Sequence, residues 1–380
     1  MGRIIGFMDI ERYFRLVCAY VAKHYVLACV LAAVAFITVM VGLLEYTDIL
    51  VYSFLPNDVV NVASKGLHQP FLQSLVQYDS GHYLRIAQNG YQQLPDAAFL
   101  PLFPLSVLYV ERVIASYGWA GLVAAWLALG AAVVVLYKWI DFELRERDLR
   151  MTPWLTLGLF AIFPTAFYLA IPYTESLFLL VNVSALYAYR RGNYALAAIC
   201  AALASLTKYQ GAVLAVFFAA DFWFSKKRDW QKLLPALGAV SGLAVYMTFL
   251  HANYGSFFEF LRAQKEWGRL HGSPLSNFAE SFRLEYLWFL PVLAVGLRAV
   301  YRYLGKAYFW YTLAFVLLPL SSGRLDGLNR YMLSAVPLFL GLAIAYHKSR
   351  NGLLKTAYTG GSLFVAAWCI MLFANGYIVQ

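Results

Sequence analysis

Apolar runs recur from one end of the chain to the other, at 25–44, 119–140, 154–172, 175–189, 193–207, 210–224, 233–251, 286–304, 308–321, 331–346 and 357–377. That pattern constrains the fold more than any other feature. A run of about 20 apolar residues matches the hydrocarbon thickness of a bilayer, and a soluble core cannot absorb eleven such runs in 380 residues. Composition agrees: 62% of residues are hydrophobic and 13% charged, against about 45–50% and 25% in soluble domains. These figures exclude an ordinary soluble enzyme. They also exclude a nucleic-acid-coating chain, because the net charge of +10 is not gathered on one basic face. The expected fold is an all-α polytopic membrane protein with about 11 transmembrane helices in a single domain, 1–380. The 28 Tyr, 28 Phe and 10 Trp suit the two interfaces of a bilayer.

The distribution of Lys and Arg predicts orientation. With residues 1–24 read as an interfacial segment on the inner leaflet, 20 of the 30 basic residues fall on the N-terminal, cytoplasmic side, among them Arg145, Arg147, Arg190, Arg191, Lys226, Arg302 and Lys306. The remaining 10, including Arg85, Arg112, Lys208 and Arg330, fall outside. The apolar stretch 99–117 carries Glu111 and Arg112 at its centre and Pro101 and Pro104 near its start, so it reads as an interfacial helix. Counting it as a span would invert everything after it. Two long outer segments result, 45–118 and 252–284, too aromatic for disorder and of the kind that carries function. No internal repeat is visible, and the start of the chain shows no cleavable signal pattern. Cys18, Cys29, Cys200 and Cys369 lie in or beside apolar runs without metal or disulfide spacing. Asn182-Val183-Ser184 reads as an accidental sequon inside an apolar run.

The densest polar cluster is Tyr78-Asp79-Ser80-Gly81-His82-Tyr83-Leu84-Arg85. Asp79 and His82 are three apart and share a helical face. Two readings fit Asp79: a cap of a short interfacial helix, or a general base tuned by His82. Lys208 lies between two apolar runs, either snorkelling to the interface or placed for function. Around Arg324, the turn 321–331 is either a solvated loop with an Arg324–Asp326 pair or part of a site that includes Asn329 and Arg330. Glu175 either caps the helix it begins or binds substrate hydroxyls.

Three blocks carry a resemblance. Asp79-Ser80-Gly81-His82-Tyr83 with Ile86-Ala87, Gly90-Tyr91 and Phe99 through Leu105 is similar to the first luminal loop of the PIG-V family of mannosyltransferases. Phe163-Pro164-Thr165-Ala166-Phe167-Tyr168 with Tyr173-Thr174-Glu175-Ser176-Leu177-Phe178 resembles a second family block, and Leu203 through Gly211 a third. Tyr78 stands where the family commonly has Trp. Lys208-Tyr209-Gln210 replaces an Arg-containing triplet, which keeps a positive charge but loses the bidentate fork.

The resemblance implies a GT-C helical bundle that transfers mannose, or a similar hexose, from a polyprenyl-phosphate donor to a lipid or glycan acceptor. It implies inversion at the anomeric carbon and Asp79 as the catalytic base. The leaving lipid phosphate is a stable anion, so nearby cations would serve it. The expected substrate-binding set is His82, Tyr83, Arg85, Tyr173, Glu175, Lys208, Arg324, Asn329 and Arg330. No cofactor is expected, and the spacing singles out no metal ligands, although a divalent ion stays open. The other class considered is a transporter or flippase of lipid-linked sugars, which predicts mid-span charges and a two-fold repeat; neither is visible.

Overall fold

The computed structural model describes residues 24–52, 75–226, 228–266, 286–320 and 327–374. Apart from its last residue, the expected interfacial segment 1–24 lies outside these residues; so do Cys18, most of 252–284 beyond Glu266, and Arg324. The described residues are helical throughout, without strands. As far as they are described, the apolar runs are mostly helix. In chain order these are α1 (Tyr25–Tyr52), α2 (Asp79–Asn89), α3 (Leu102–Ile114), α4 (Tyr117–Glu146), α5 (Pro153–Ala161), α6 (Glu175–Arg190), α7 (Tyr194–Thr207), α8 (Leu214–Phe224), α9 (Leu234–Tyr254), α10 (Glu259–Glu266), α11 (Tyr286–Ala299), α12 (Lys306–Leu320), α13 (Leu328–Ser334), α14 (Val336–Lys348) and α15 (Gly352–Ala374). Five continuous helical segments are long and apolar enough to cross a membrane: 25–47, 117–146, 230–254, 286–304 and 352–374. The pair α13 and α14, bent by 80°, makes a sixth. The remaining runs form shorter apolar helices. The chain is an integral membrane protein with many apolar side chains on its outer surface, such as Leu31, Val34 and Phe364, where lipid tails replace water.

Two runs expected as single helices are broken, each for a local reason. In 154–172 the helix stops at Ala161, before Pro164, and a 3-10 turn (Ala166–Ala170) leads to Pro172. Proline lacks the N–H and clashes with the preceding turn, so an α-helix cannot pass through it unbroken. In 331–346 the break falls at Ala335, ahead of Pro337, and produces the bend. Helix starts follow the same local chemistry. Thr152 Oγ1 accepts from Trp154 N ahead of Pro153, and Asn193 Oδ1 accepts from Leu196 N at 3.0 Å.

The helices α6 and α7 form an antiparallel hairpin about Gly192-Asn193, and α4 and α9 pack on either side of it. Glu175 and Lys208 therefore share one end, and Arg190 lies at the other, about 22 Å away at 1.5 Å per residue. The segment 99–117 enters and leaves at the Glu175 end. Phe103 packs on Tyr83 at 5.3 Å, and Gly121, one turn into α4, abuts Leu84 and Pro172. The stretch thus forms a side helix, α3, packed against α2 and α4. All residues expected on the outer face within this region share one end of the bundle.

The tightest interhelical approach is α9 against α7. A Cβ on Gly242 would lie 2.2 Å from the carbonyl oxygen of Ala202. Small residues allow backbones to meet in a membrane, where packing replaces the hydrophobic effect. Gly242→Leu should therefore destabilise the protein by about 1–3 kcal/mol through overpacking, read as a lower thermal midpoint in detergent. Gly130→Leu, at a position with nothing within 4 Å, is the control. Equal midpoints for the two variants would contradict the close packing.

Candidate functional site

Asp79, Glu175, Lys208 and Arg330 come from four separate elements and meet as one chain of charges. Each lies where a helix starts, ends or bends. Asp79 opens α2 after Tyr78, whose φ of 51° and ψ of −117° are rare for a residue with a side chain. Such strain costs about 1–3 kcal/mol and clusters at functional sites. Asp79 stands in the first helical turn and Tyr78 holds the cap position, so capping is not what fixes the carboxylate. Instead Arg330 Nη1 donates to Asp79 Oδ2 at 2.7 Å.

Glu175 opens α6, just after Pro172. Its Oε1 takes an ion pair from Lys208 Nζ at 2.6 Å and another from Arg330 Nε at 3.2 Å. Its Oε2 is buried and accepts no hydrogen bond. Lys208 ends α7 and begins the 3-10 turn Tyr209–Val213; the next turn closes only because residue 211 is glycine, whose Cβ would fall 2.3 Å from the Ala204 carbonyl carbon. Lys208 is 6% exposed, so it does not snorkel: its ammonium points inward to Glu175. Arg330 lies on α13, its guanidinium over the rings of Tyr173 and Tyr168 at 5.4 and 5.5 Å. Two carboxylates and two cations cancel in charge, as burial demands. They are not equally buried. The Glu175 side chain is 1% exposed and that of Asp79 22%, so Asp79 is the carboxylate open to a ligand.

Other expected site residues surround this chain or stand apart from it. The Tyr83 hydroxyl lies 3.5 Å from Thr174 Oγ1, and the Tyr173 hydroxyl donates to the Gln77 carbonyl at 3.1 Å. Asn329 is buried, and its backbone carbonyl accepts from Thr165 Oγ1 at 3.0 Å, which ties the second sequence block to α13. His82 stacks on Phe99 at 4.8 Å, and burial holds its imidazole below the ordinary pKa, with Asp79 opposing. Arg85 does not join the four charges. It pairs with Asp96 and also contacts Gln93 and His82. Asp96 is 1% exposed and takes the backbone N–H groups of Gln92 and Gln93, both at 3.0 Å.

Sequence reasoning missed Asp96, Tyr168 and Gln210. The pattern Gln93-Leu94-Pro95-Asp96 was a readable capping signal. Gln210 lay inside a quoted block; its Oε1 is buried without a hydrogen bond, in the turn after Lys208. The accidental sequon is confirmed as interior: Asn182 is buried and donates to the Ser334 carbonyl at 3.0 Å. Among the described residues, Cys29, Cys200 and Cys369 form no disulfide.

The fold and the site define a polytopic membrane protein that keeps one accessible carboxylate at the end of a buried charge chain. A family model described as Mannosyltransferase (PIG-V) matches residues 18–310. The chain belongs to that family of membrane glycosyltransferases. It is also similar to GPI mannosyltransferase 2 of Aspergillus fumigatus, with 29% identity over 196 residues, 47% of this chain and 40% of that protein. The chain thus spans less than half the length of this curated relative. Asp79, Glu175 and Lys208 fall within the matched region; Arg330 lies beyond it.

Removing Glu175 should strand two buried cations. Glu175→Gln is expected to cost about 3–5 kcal/mol, measured by denaturant titration in detergent. The double variant Glu175→Gln/Lys208→Met should recover part of that loss. Strictly additive losses would show that the pair is not coupled.

Proposed function

We propose that this protein transfers mannose, or a similar hexose, from a polyprenyl-phosphate donor to a hydroxyl of a lipid or glycan acceptor, inverting the anomeric carbon. One observation carries the reading: a partly open carboxylate, Asp79, in contact with a buried arginine, Arg330, which is itself linked through Glu175 to Lys208. Transfer of a sugar from a lipid phosphate needs both kinds of group in adjacent places.

In the proposed reaction Asp79 takes the proton of the acceptor hydroxyl as its oxygen attacks the anomeric carbon. The bond from that carbon to the phosphate oxygen breaks, and the electron pair leaves with polyprenyl phosphate. Arg330 offers a fixed cation to the departing phosphate, with Lys208 behind it. Because the leaving group is already a stable anion, the scheme requires no general acid and draws on no cofactor. Glu175 Oε2 and Gln210 Oε1, buried acceptors without hydrogen bonds, suit sugar hydroxyls. His82, Tyr83 and Tyr173 wall the approach, and Asn329 fixes the backbone beside Arg330. Arg85 acts through Asp96 and orders the segment behind α2. The family and the name of the fungal relative favour a GPI-like glycolipid as acceptor. The positive-inside count favours an active site on the extracytoplasmic or luminal face and a cytoplasmic N-terminus.

The test is a transfer assay with purified protein and radiolabelled polyprenyl-phosphate mannose across a panel of glycolipid acceptors. Wild type should release polyprenyl phosphate and label an acceptor. Asp79→Asn should lower the rate by about 10²–10⁴-fold, the usual contribution of a positioned base, with the thermal midpoint little changed. A variant that keeps its rate would remove Asp79 from the base role.

A further inference from the structure

At the end of the bundle opposite Asp79, a second charged cluster closes around Glu143. This carboxylate is fully buried and takes Arg147, Arg190 Nε at 2.7 Å and the Tyr308 hydroxyl at 2.6 Å. Arg147 also donates to the carbonyls of Tyr303 and Leu304, at 3.0 and 3.1 Å. Next to it Asp221 takes the Tyr189 hydroxyl at 2.7 Å and Lys232 at 3.0 Å. Both carboxylates are thereby satisfied. Between the clusters a cavity of about 210 Å³ is lined by Arg147, Arg190, Lys306, Ser225 and one carboxylate, Asp221, with Phe217 and Phe224 as apolar wall.

The charges around this cavity do not cancel. Arg147, Arg190, Lys232 and Lys306 face Glu143 and Asp221, with Glu146, 54% exposed and 4.0 Å from Arg190, as the remaining carboxylate. Cations exceed anions even when Glu146 is counted. Arg190 engages Glu143 through Nε and lines the cavity, with Nη2 4.0 Å from the exposed Glu146, and Lys306 lies over the face of Phe224 at 5.0 Å, with no ion pair among the described residues. Lys306 also opens α12, whose first N–H groups have no helical acceptor.

The surroundings locate this opening at headgroup depth. Cations lie over aromatic rings all round this end: Arg228 over Trp223 at 5.3 Å, Arg302 over Tyr303 at 5.7 Å and Lys348 over Tyr303 at 4.7 Å. Aromatic rings and basic side chains in register are the mark of a membrane–water interface, and basic pockets between helices at that level take phosphate headgroups. We propose that this cavity binds a phosphate anion, supplied by the headgroup of an anionic phospholipid of the adjoining leaflet. The site is separate from the sugar-transfer site and does not depend on that reaction.

The experiment is thermal unfolding of the detergent-solubilised full chain against short-chain phosphatidylglycerol, short-chain phosphatidylcholine and inorganic phosphate. Phosphatidylglycerol should raise the midpoint of wild type and Lys306→Arg, with little effect of phosphatidylcholine. Lys306→Gln should weaken half-saturation about fivefold, the contribution of one cation near an anionic headgroup. Arg112→Gln, an exposed cation at the other end, should behave as wild type. A Lys306-dependent shift with inorganic phosphate alone would keep the site and identify soluble phosphate as its source. No shift, or a shift that Lys306→Gln and Arg112→Gln leave alike, would overturn the proposal.

Discussion

A carboxylate buried where water cannot reach must be met by cations, and Glu175 is such a group. Its Oε1 receives both Lys208 and Arg330. Desolvating these ions costs several kcal/mol each, and only their mutual contact offsets it. The requirement reaches outward: Arg330 has charge and donors left over, and it spends them on Asp79. One burial problem thus joins α2, α6, the α7–α8 junction and α13. Each of the four charges stands where a helix begins, ends or bends. Interrupted helices are tolerated at membrane depth only where protein or a cavity can satisfy the freed backbone. The bend ahead of Pro337, the Gly211 turn, Pro172 and the strained Tyr78 are the means by which one end of the bundle is opened for side chains.

The opposite end meets the same requirement around Glu143. It is as buried as Glu175, and Arg147, Arg190 and Tyr308 enclose it; an exposed carboxylate, Glu146, lies 4.0 Å from Arg190, and Lys306 adds a further cation beside the cavity. The two hubs lock opposite ends of α6, through Glu175 at one end and Arg190 at the other. What differs is the residue left accessible: a carboxylate at one end, cations at the other. The first arrangement suits removal of a proton, the second reception of an anion. This asymmetry of function follows from which partner of each buried pair has valence to spare.

Much of the fold was legible because lipid imposes a simple rule. Apolar runs became helix, and the segment 99–117, with charges at its centre, holds a helix of 13 residues, Leu102–Ile114. The broken runs were also written in the chain, at Pro164, Pro172 and Pro337, but a hydropathy profile averages over single prolines. Asp79, Glu175, Lys208 and Arg330 could be singled out as costly polar residues next to apolar runs. Their pairing could not, since Asp79 and Arg330 are 251 residues apart. Arg85 shows the limit from the other side. Its place in the densest polar cluster made it a candidate substrate-binding cation, yet Asp96, folded back beneath it by a local turn, claims the guanidinium. Local spacing identifies charges; only the fold decides which of them neutralise each other.

The pairing of Asp79 with Arg330 bears directly on the proposed reaction. A carboxylate in contact with a guanidinium is stabilised as the anion, which keeps it ready to accept a proton but lowers its appetite for one. A donor phosphate that approaches Arg330 competes for the same guanidinium. In the proposed reaction, an Arg330 that turned toward phosphate would withdraw part of the counter-charge from Asp79. Glu175, itself paired with Lys208, meets Arg330 at Nε, so in this scheme the exchange requires movement of the guanidinium end and no rearrangement of the helices. Coupling of base strength to donor arrival would also disfavour proton removal from an acceptor, or from water, while the donor is absent. The neutral four-charge chain is then the resting form of the site, and the stability it provides by satisfying Glu175 is the same contact that keeps Asp79 in check.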